Sequence, residues 1–405
     1  MADDVRAGRR SAAAVADALL DAVGAAPGLS QLTDGTAPPQ LADTAPPQLT
    51  GTAAPLLMVD AEPLRAAAAA VDRRADRFAL PLAGVTVAVE DGISVAGRGD
   101  EPVRRLRAAG ALVAGRARTA AFAIGPDGSP GGRATAAAVA AGLVPLGIGI
   151  DGDGALRAAA AAHGLTALKP GRRVLPLPPG EERRWSGLAE TTLVAADPLD
   201  VLAALDAITT GVHHGHDPDP GPPAGSLACS LRTGRARFAG PAATAGVQEA
   251  IRLLDAAGIG LVAADPPYRA VLPVHGARRR QAGLARRVED LQLDPAQLPR
   301  AARSAVRRGR RVRRLGGLRP ATPASWRQRM VGWLDDAGAE AGLLSAPAGP
   351  VAAGSTGFAA WNLAGLPSLV TPVLGGAGRR TCVQLVGRPG SERRLLATAA
   401  LLYRR

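Results

Sequence analysis

Ser129-Pro-Gly-Gly-Arg-Ala-Thr135, Asp151-Gly-Asp-Gly-Ala-Leu-Arg157 and Leu168-Lys-Pro170 are three short segments that lie within 42 residues of one another in a chain of 405. Between them, Thr135–Ala141 reads as a helix following glycines, Leu143–Ile150 as an apolar, buried strand, and Ala158–His163 as a further helical turn. Strands alternating with helices at this spacing imply parallel pairing inside a layered α/β fold.

Working towards the N-terminus, Pro81-Leu-Ala-Gly-Val-Thr-Val-Ala-Val-Glu-Asp91 has the near-continuous apolar run of a strand covered on both faces. Pro102–Ala109 predicts a helix, Ala111–Gly115 a strand, and Thr119–Ile124 the start of the next element. Leu56–Asp60 predicts a short strand and Ala61–Arg77 an alanine-rich helix. Asp3–Val23 has helical periodicity, with Val5, Ala12, Val15, Ala16, Leu19 and Leu20 on one side. The intervening 25–55 stretch is rich in Thr, Ala, Pro and Gln, and Thr36-Ala-Pro-Pro-Gln-Leu41 recurs at Thr44–Leu49. Repeated prolines without apolar periodicity predict a solvated loop. Towards the C-terminus, Gly260–Ala264 predicts a strand. The organisation expected is an N-terminal helix at 1–24, a low-complexity loop at 25–55 and one α/β domain at 56–405.

The three opening segments resemble the core of the amidase signature family. Its usual wording is Gly-Gly-Ser-Ser-Gly-Gly-Ser, then Asp-x-Gly-Gly-Ser-x-Arg, then Gly-Leu-Lys-Pro. The run from Pro81 to Asp91 is similar to that family's Pro-Leu-Ala-Gly-Val-Pro-Val-Ala-Val-Lys-Asp, and the likeness extends from about Asp3 to Arg404. It implies a mixed, mostly parallel central sheet covered by helices on both faces. Two connections, Gly97–Pro102 and Gly125–Ser129, are shorter than the family pattern, and both fall where the family places loops that wall its site.

The resemblance also implies a chemistry. Members of the family, which include the A subunit of the tRNA-dependent amidotransferase, hydrolyse amides with a nucleophilic serine, a bridging serine in a cis peptide and a buried lysine. That lysine must be neutral to accept a proton, and burial favours the neutral form. In this chain the lysine position is Glu90. The bridging serine falls at Arg133, or near Thr135 with another placement of the gap. The nucleophile position is Ala155, because the alignment from Asp151 to Pro170 has no gap. Lys169 is the only lysine in the chain, and it falls in the Leu-Lys-Pro segment, which is not the catalytic one. A methyl group cannot attack a carbonyl.

The turn Gly152-Asp153-Gly154-Ala155 matches the family's oxyanion turn, so it reads either as a cradle for an anion or carbonyl, flanked by Asp151 and Arg157, or as an inherited structural turn. Asp153 replaces a glycine there, and its carboxylate would repel an oxyanion. Glu90 and Arg133 are expected to form an ion pair where lysine and bridging serine met. His163 reads as a satisfied core histidine.

Charge is uneven along the chain. Sixteen arginines between Arg278 and Arg329 face Glu289, Asp290 and Asp294, which accounts for the whole net charge of +13. Arg303, Arg307, Arg310, Arg311 and Arg314 are spaced to share a helix face, with Val306, Val312 and Leu315 available for the other. A polyanion would be attracted to such a face, although no recognition motif or interleaved aromatic accompanies it, which argues against nucleic acid. His213-His-Gly-His216-Asp217 lies in a Pro/Gly-rich connection and reads as a linker sooner than as a metal site. Two distant cysteines, Cys229 and Cys382, and the lack of any spanning apolar run suggest a reduced cytoplasmic protein with no membrane contact.

These readings lead to an amidase homologue without hydrolysis that serves a binding, scaffolding or regulatory role, partnered by an active paralogue or another subunit. The alternatives are a hydrolase of carbon-nitrogen bonds rebuilt around Glu90 and the 152–155 turn, with a small amide or anion as ligand, or a polyanion-binding protein. None of the three calls for a cofactor or a metal.

Overall fold

The computed structural model describes residues 1–25, 56–91, 93, 101–117, 133–177, 181–209, 220–235, 237–319, 322–346, 356–374 and 380–403. The Pro-rich repeat, the histidine cluster at 213–216, the Thr119–Ile124 element, the Gly125–Ser129 connection and residues 97–100 of the other shortened connection lie outside these residues.

The strands in chain order are β1 Leu56–Met58, β2 Thr86–Glu90, β3 Leu112–Ala117, β4 Leu146–Asp151, β5 Thr166–Lys169, β6 Glu190–Ala195, β7 Ser226–Ser230, β8 Arg232–Gly234, β9 Arg237–Phe238, β10 Gly260–Ala263, β11 Ala341–Ser345, β12 Ser368–Leu374 and β13 Arg380–Gly387. All but β8 and β9 form one 11-stranded sheet, ordered β1-β3-β2-β4-β6-β5-β12-β13-β11-β7-β10. It is mixed, as the resemblance implied. One parallel block is β3-β2-β4 and the other is β11-β7-β10. The strands between the blocks pair antiparallel.

Alternation along the strands divides the core in two, because successive side chains point to opposite faces. Val87, Val89, Leu168, Leu193 and Leu369 pack into one apolar cluster. Ala88, Ala167, Val194 and Val370 pack into the other. Helices Pro198–Thr209, Pro241–Ala256 and Glu392–Leu402 contribute to the first cluster, and Ala12–Ala25, Ala61–Arg73 and Ala155–Ala162 to the second. Much of the second is alanine, which lets those helices lie close to the sheet.

Several boundaries differ from the sequence reading. The first helix is two, Ala2–Arg6 and Ala12–Ala25. Gly8 breaks it with φ +69, and the second begins with its own caps. Ser11 Oγ accepts the Ala14 N–H at 3.0 Å, and the Asp72 carboxylate takes those of Ala12 and Ala13 at 2.7 and 3.0 Å. Such caps satisfy donors that have no partner inside a helix. The next helix stops at Arg73, short of Arg77. The helix after the 152–155 turn starts three residues earlier than expected, at Ala155.

Candidate functional site

Strands β2 and β4 are parallel neighbours, and their carboxyl ends carry Glu90 and Asp151. In open α/β sheets that edge is where ligands bind. From β4 the chain turns through 152–154 and enters the Ala155–Ala162 helix, with Gly154 at φ +95 as its N-cap. A side chain at Gly154 would also meet Phe358 Cβ at 2.2 Å, so glycine is required twice over.

Behind the turn lies a closed polar network. Asp151 Oδ2 accepts from Arg157 Nε at 2.9 Å, and its Oδ1 accepts from Arg157 Nη2 at 3.2 Å and the Gly154 N–H at 2.6 Å. Asn362 Nδ2 donates to Asp151 O and Oδ1 at 3.1 and 3.2 Å, and Arg157 Nη2 donates to Asn362 Oδ1. Arg157 Nη1 reaches Ser368 Oγ at 2.7 Å, and the guanidinium stacks on Phe358, 4.8 Å from the ring centre. Both ionic side chains are fully buried. Burial raises the Asp151 pKa, but the Arg157 charge and hydrogen bonds outweigh it and hold the carboxyl below its ordinary value. Asp151 and Arg157, expected beside a ligand, spend their hydrogen-bonding capacity on each other and on the fold.

In front of the turn the surroundings are apolar and basic. A Cβ at Gly152 would fall 1.8 Å from Trp185 Cε3, so the indole lies directly on the turn. Trp185 and Ser186 both have left-handed backbones, φ 48 and 54, an uncommon state for a bulky residue. The Leu272–Asp290 helix holds them there, since Gly283 lets its backbone approach so closely that a Cβ would lie 2.3 Å from Trp185 Cα. The Arg184 guanidinium stacks on the indole at 4.6 Å. From the same helix Arg280 forms an ion pair with Asp153. Burial and the nearby Asp151 raise the Asp153 pKa, while Arg280 and the Ala155 N–H work in the opposite direction. The repulsive carboxylate anticipated from the sequence is therefore matched by a cation from 127 residues away.

Glu90 is 1 % exposed, and its Oε2 accepts the Ile150 N–H at 2.6 Å. The β2–β4 pairs end at Val89 and Ile148, so the carboxylate takes an N–H that β2 no longer reaches. It lies across Gly149, where a Cβ would be 2.5 Å from Oε2. Arg133 begins the Arg133–Ala140 helix, but its side chain is outside the described residues. Thr135 is fully buried, and its Oγ1 has no hydrogen-bond partner among the described residues. His163, expected in the core, is exposed at the end of its helix.

Lys169 is fully buried. Its Nζ donates to Pro170 O at 2.7 Å and Leu366 O at 2.8 Å. Burial lowers its pKa to about 7 against the pull of Glu190, whose own pKa burial raises. Among the described residues no group of three His, Cys, Asp or Glu side chains is placed to hold a metal, and no helix is long and apolar enough to cross a membrane.

Sequence reasoning missed Trp185, Arg280, Asn362 and Phe358. Charge balance offered one usable signal, because a carboxylate added to a buried turn needs a cation. It could not say which arginine.

Two relatives at 32 % identity over most of both chains place this chain in the amidase family. The family model described as Amidase matches residues 126–274. AmiB2 of Mycobacterium tuberculosis, whose name assigns it to the amidases, is 32 % identical over 406 aligned positions, covering 83 % of this chain and 85 % of AmiB2. AmiA2 of the same species is also 32 % identical, covering 84 % and 83 %. Among solved structures, 6-aminohexanoate cyclic dimer hydrolase with substrate superposes with TM-score 0.78 at 19 % identity, covering 99 % of this chain and 95 % of that one. The peptide amidase of Stenotrophomonas maltophilia gives 0.71 at 20 %, covering 98 % and 94 %.

Proposed function

We propose that this amidase-family chain does not hydrolyse amides and acts as a binding or scaffolding subunit beside an active paralogue or another protein. The observation that carries this reading is Ala155 at the first position of the helix after the Gly-rich turn, where the family's chemistry calls for a serine hydroxyl. Three features support it. The Glu90 carboxylate replaces an amine and is tied to the Ile150 N–H. The indole of Trp185 lies on Gly152. Asp153 and Arg280 pair at the turn that would hold an oxyanion. In serine-protease triads, loss of the nucleophile or base costs on the order of 10⁶ in kcat, leaving about 10³ to 10⁴ over water. A comparable residue of activity is the ceiling expected here.

The test is a broad panel of primary and secondary amides assayed with the purified protein and with an Ala155→Ser, Glu90→Lys, Arg133→Ser variant. The reading predicts no turnover and no fluorophosphonate labelling of the unmodified chain. Turnover that Glu90→Gln abolishes would replace it with a hydrolase rebuilt around Glu90.

A further inference from the structure

The Leu272–Asp290 and Arg300–Arg314 helices form a hairpin with its own small core, made of Leu284, Ala285, Val288, Leu298, Ala302, Ala305 and Val306. That core uses the apolar side of the second helix, and what it leaves outward is almost entirely arginine. At 3.6 residues per turn, Arg300, Arg303, Arg307, Arg311 and Arg314 fall within roughly 80° of arc and span about 21 Å at 1.5 Å per residue. All five are exposed. Arg303 donates to Ala296 O and Arg307 to Ser304 Oγ, and none of the five is in an ion pair among the described residues. The nearby carboxylate, Glu289, is already engaged by Arg310 and Arg313 on the flank.

The sequence reading is adjusted in two places. Arg310 leaves the stripe to pair with Glu289. Leu315, assigned to the buried side, is 71 % exposed just past the helix end.

We propose that this stripe is a docking surface for the phosphodiester backbone of a nucleic-acid duplex. Exposed side chains that carry like charge repel one another, and a row of anions at short, regular spacing relieves that repulsion along its whole length. Guanidinium groups grip phosphate oxygens with two donors at once. The absence of aromatics along the row, which argues against base stacking on a single strand, costs nothing in a contact made to the backbone alone. A lipid surface fits less well, because a membrane-bound amphipathic helix buries its apolar side in the bilayer. Here that side is occupied by the Leu272–Asp290 helix. The inference does not depend on whether the chain hydrolyses amides.

The experiment is fluorescence anisotropy of the full chain with labelled DNA and RNA duplexes of mixed sequence at 50 and 200 mM NaCl. With five phosphates neutralised, affinity should fall several hundred-fold over that range. The Arg303→Glu, Arg307→Glu, Arg311→Glu variant should lose binding. A charge-matched control, Arg235→Glu, Arg237→Glu, Arg269→Glu, changes three exposed arginines elsewhere and should retain most of it. Circular dichroism melts establish that both variants are folded. The proposal is overturned by no duplex binding at 50 mM, by equal losses in both variants, or by anionic vesicles or polyglutamate competing better than duplex.

Discussion

Asp151 and Asp153 sit two residues apart at one turn, yet their surroundings differ in kind. Asp151 is fully enclosed with Arg157, and each of its oxygens is met by more than one donor. Asp153 faces one arginine, and that arginine keeps 22 % of its side chain in solvent. The first pair is part of the frame that makes the turn. The second stands in front of the turn, at the position that the proposed function reads as a former oxyanion cradle. The contrast suggests that the scaffold tolerates change in front of the turn far better than behind it, and each of the following variants puts that to the test.

Arg157→Leu should be the most damaging. It leaves a buried carboxylate unpaired, which costs about 3–5 kcal/mol, and urea denaturation should find a correspondingly lower midpoint or no folded protein. A stable Arg157→Leu protein would mean that the two sides of the turn do not differ. Gly154→Ala comes next, because holding a non-glycine residue in a left-handed conformation costs about 1–3 kcal/mol before Phe358 is displaced.

Lys169 sharpens the comparison through pH. Its pKa is lowered from 10.5 to about 7, so between those values the unfolded chain carries a proton at this site that the native one does not. Native stability should therefore rise with pH across that window, by up to about 1.4 kcal/mol per pH unit. Below pH 7 the disadvantage of a buried charge is fully present. Glu190, with its pKa raised from 4.5, gives the opposite slope as pH rises from that value. Urea midpoints measured from pH 6 to 10 should show the rise in the parent chain and not in Lys169→Met. A rise of the same size in the variant would locate the titration elsewhere.

The smallest effect belongs to the front of the turn. Asp153→Gly, alone or combined with Arg280→Ala, should change stability by no more than about 1 kcal/mol, because a partly exposed guanidinium can be rehydrated, whereas Arg280→Ala alone leaves the buried Asp153 carboxyl without its cation and should cost more. A coupling energy above 3 kcal/mol in the double-mutant cycle would make this pair as structural as the one behind it.

Much of this was legible from residue order. The apolar run ending at Glu90 placed that carboxylate at a strand end, as found, and the ungapped run from Asp151 to Pro170 pointed to Ala155 as the position matching the family's nucleophile. The two-helix start was written in Gly8 and Ser11, but apolar periodicity on both sides concealed it. Trp185 and Arg280 could not have been placed. What brings them to the turn is the path of segments distant in sequence, and the close approach of Gly283 to Trp185 exists only once the chain has folded. For the same reason the Arg-rich segment was readable as charge, but not as the source of the arginine that reaches Asp153.

The central claim is that the turn no longer supports nucleophilic amide cleavage, and active-site labelling tests it most directly. Incubation of the unmodified chain with a fluorophosphonate, followed by intact mass measurement, should leave the mass unchanged, with no amide in the panel turned over. A stoichiometric adduct accompanied by steady turnover would contradict it.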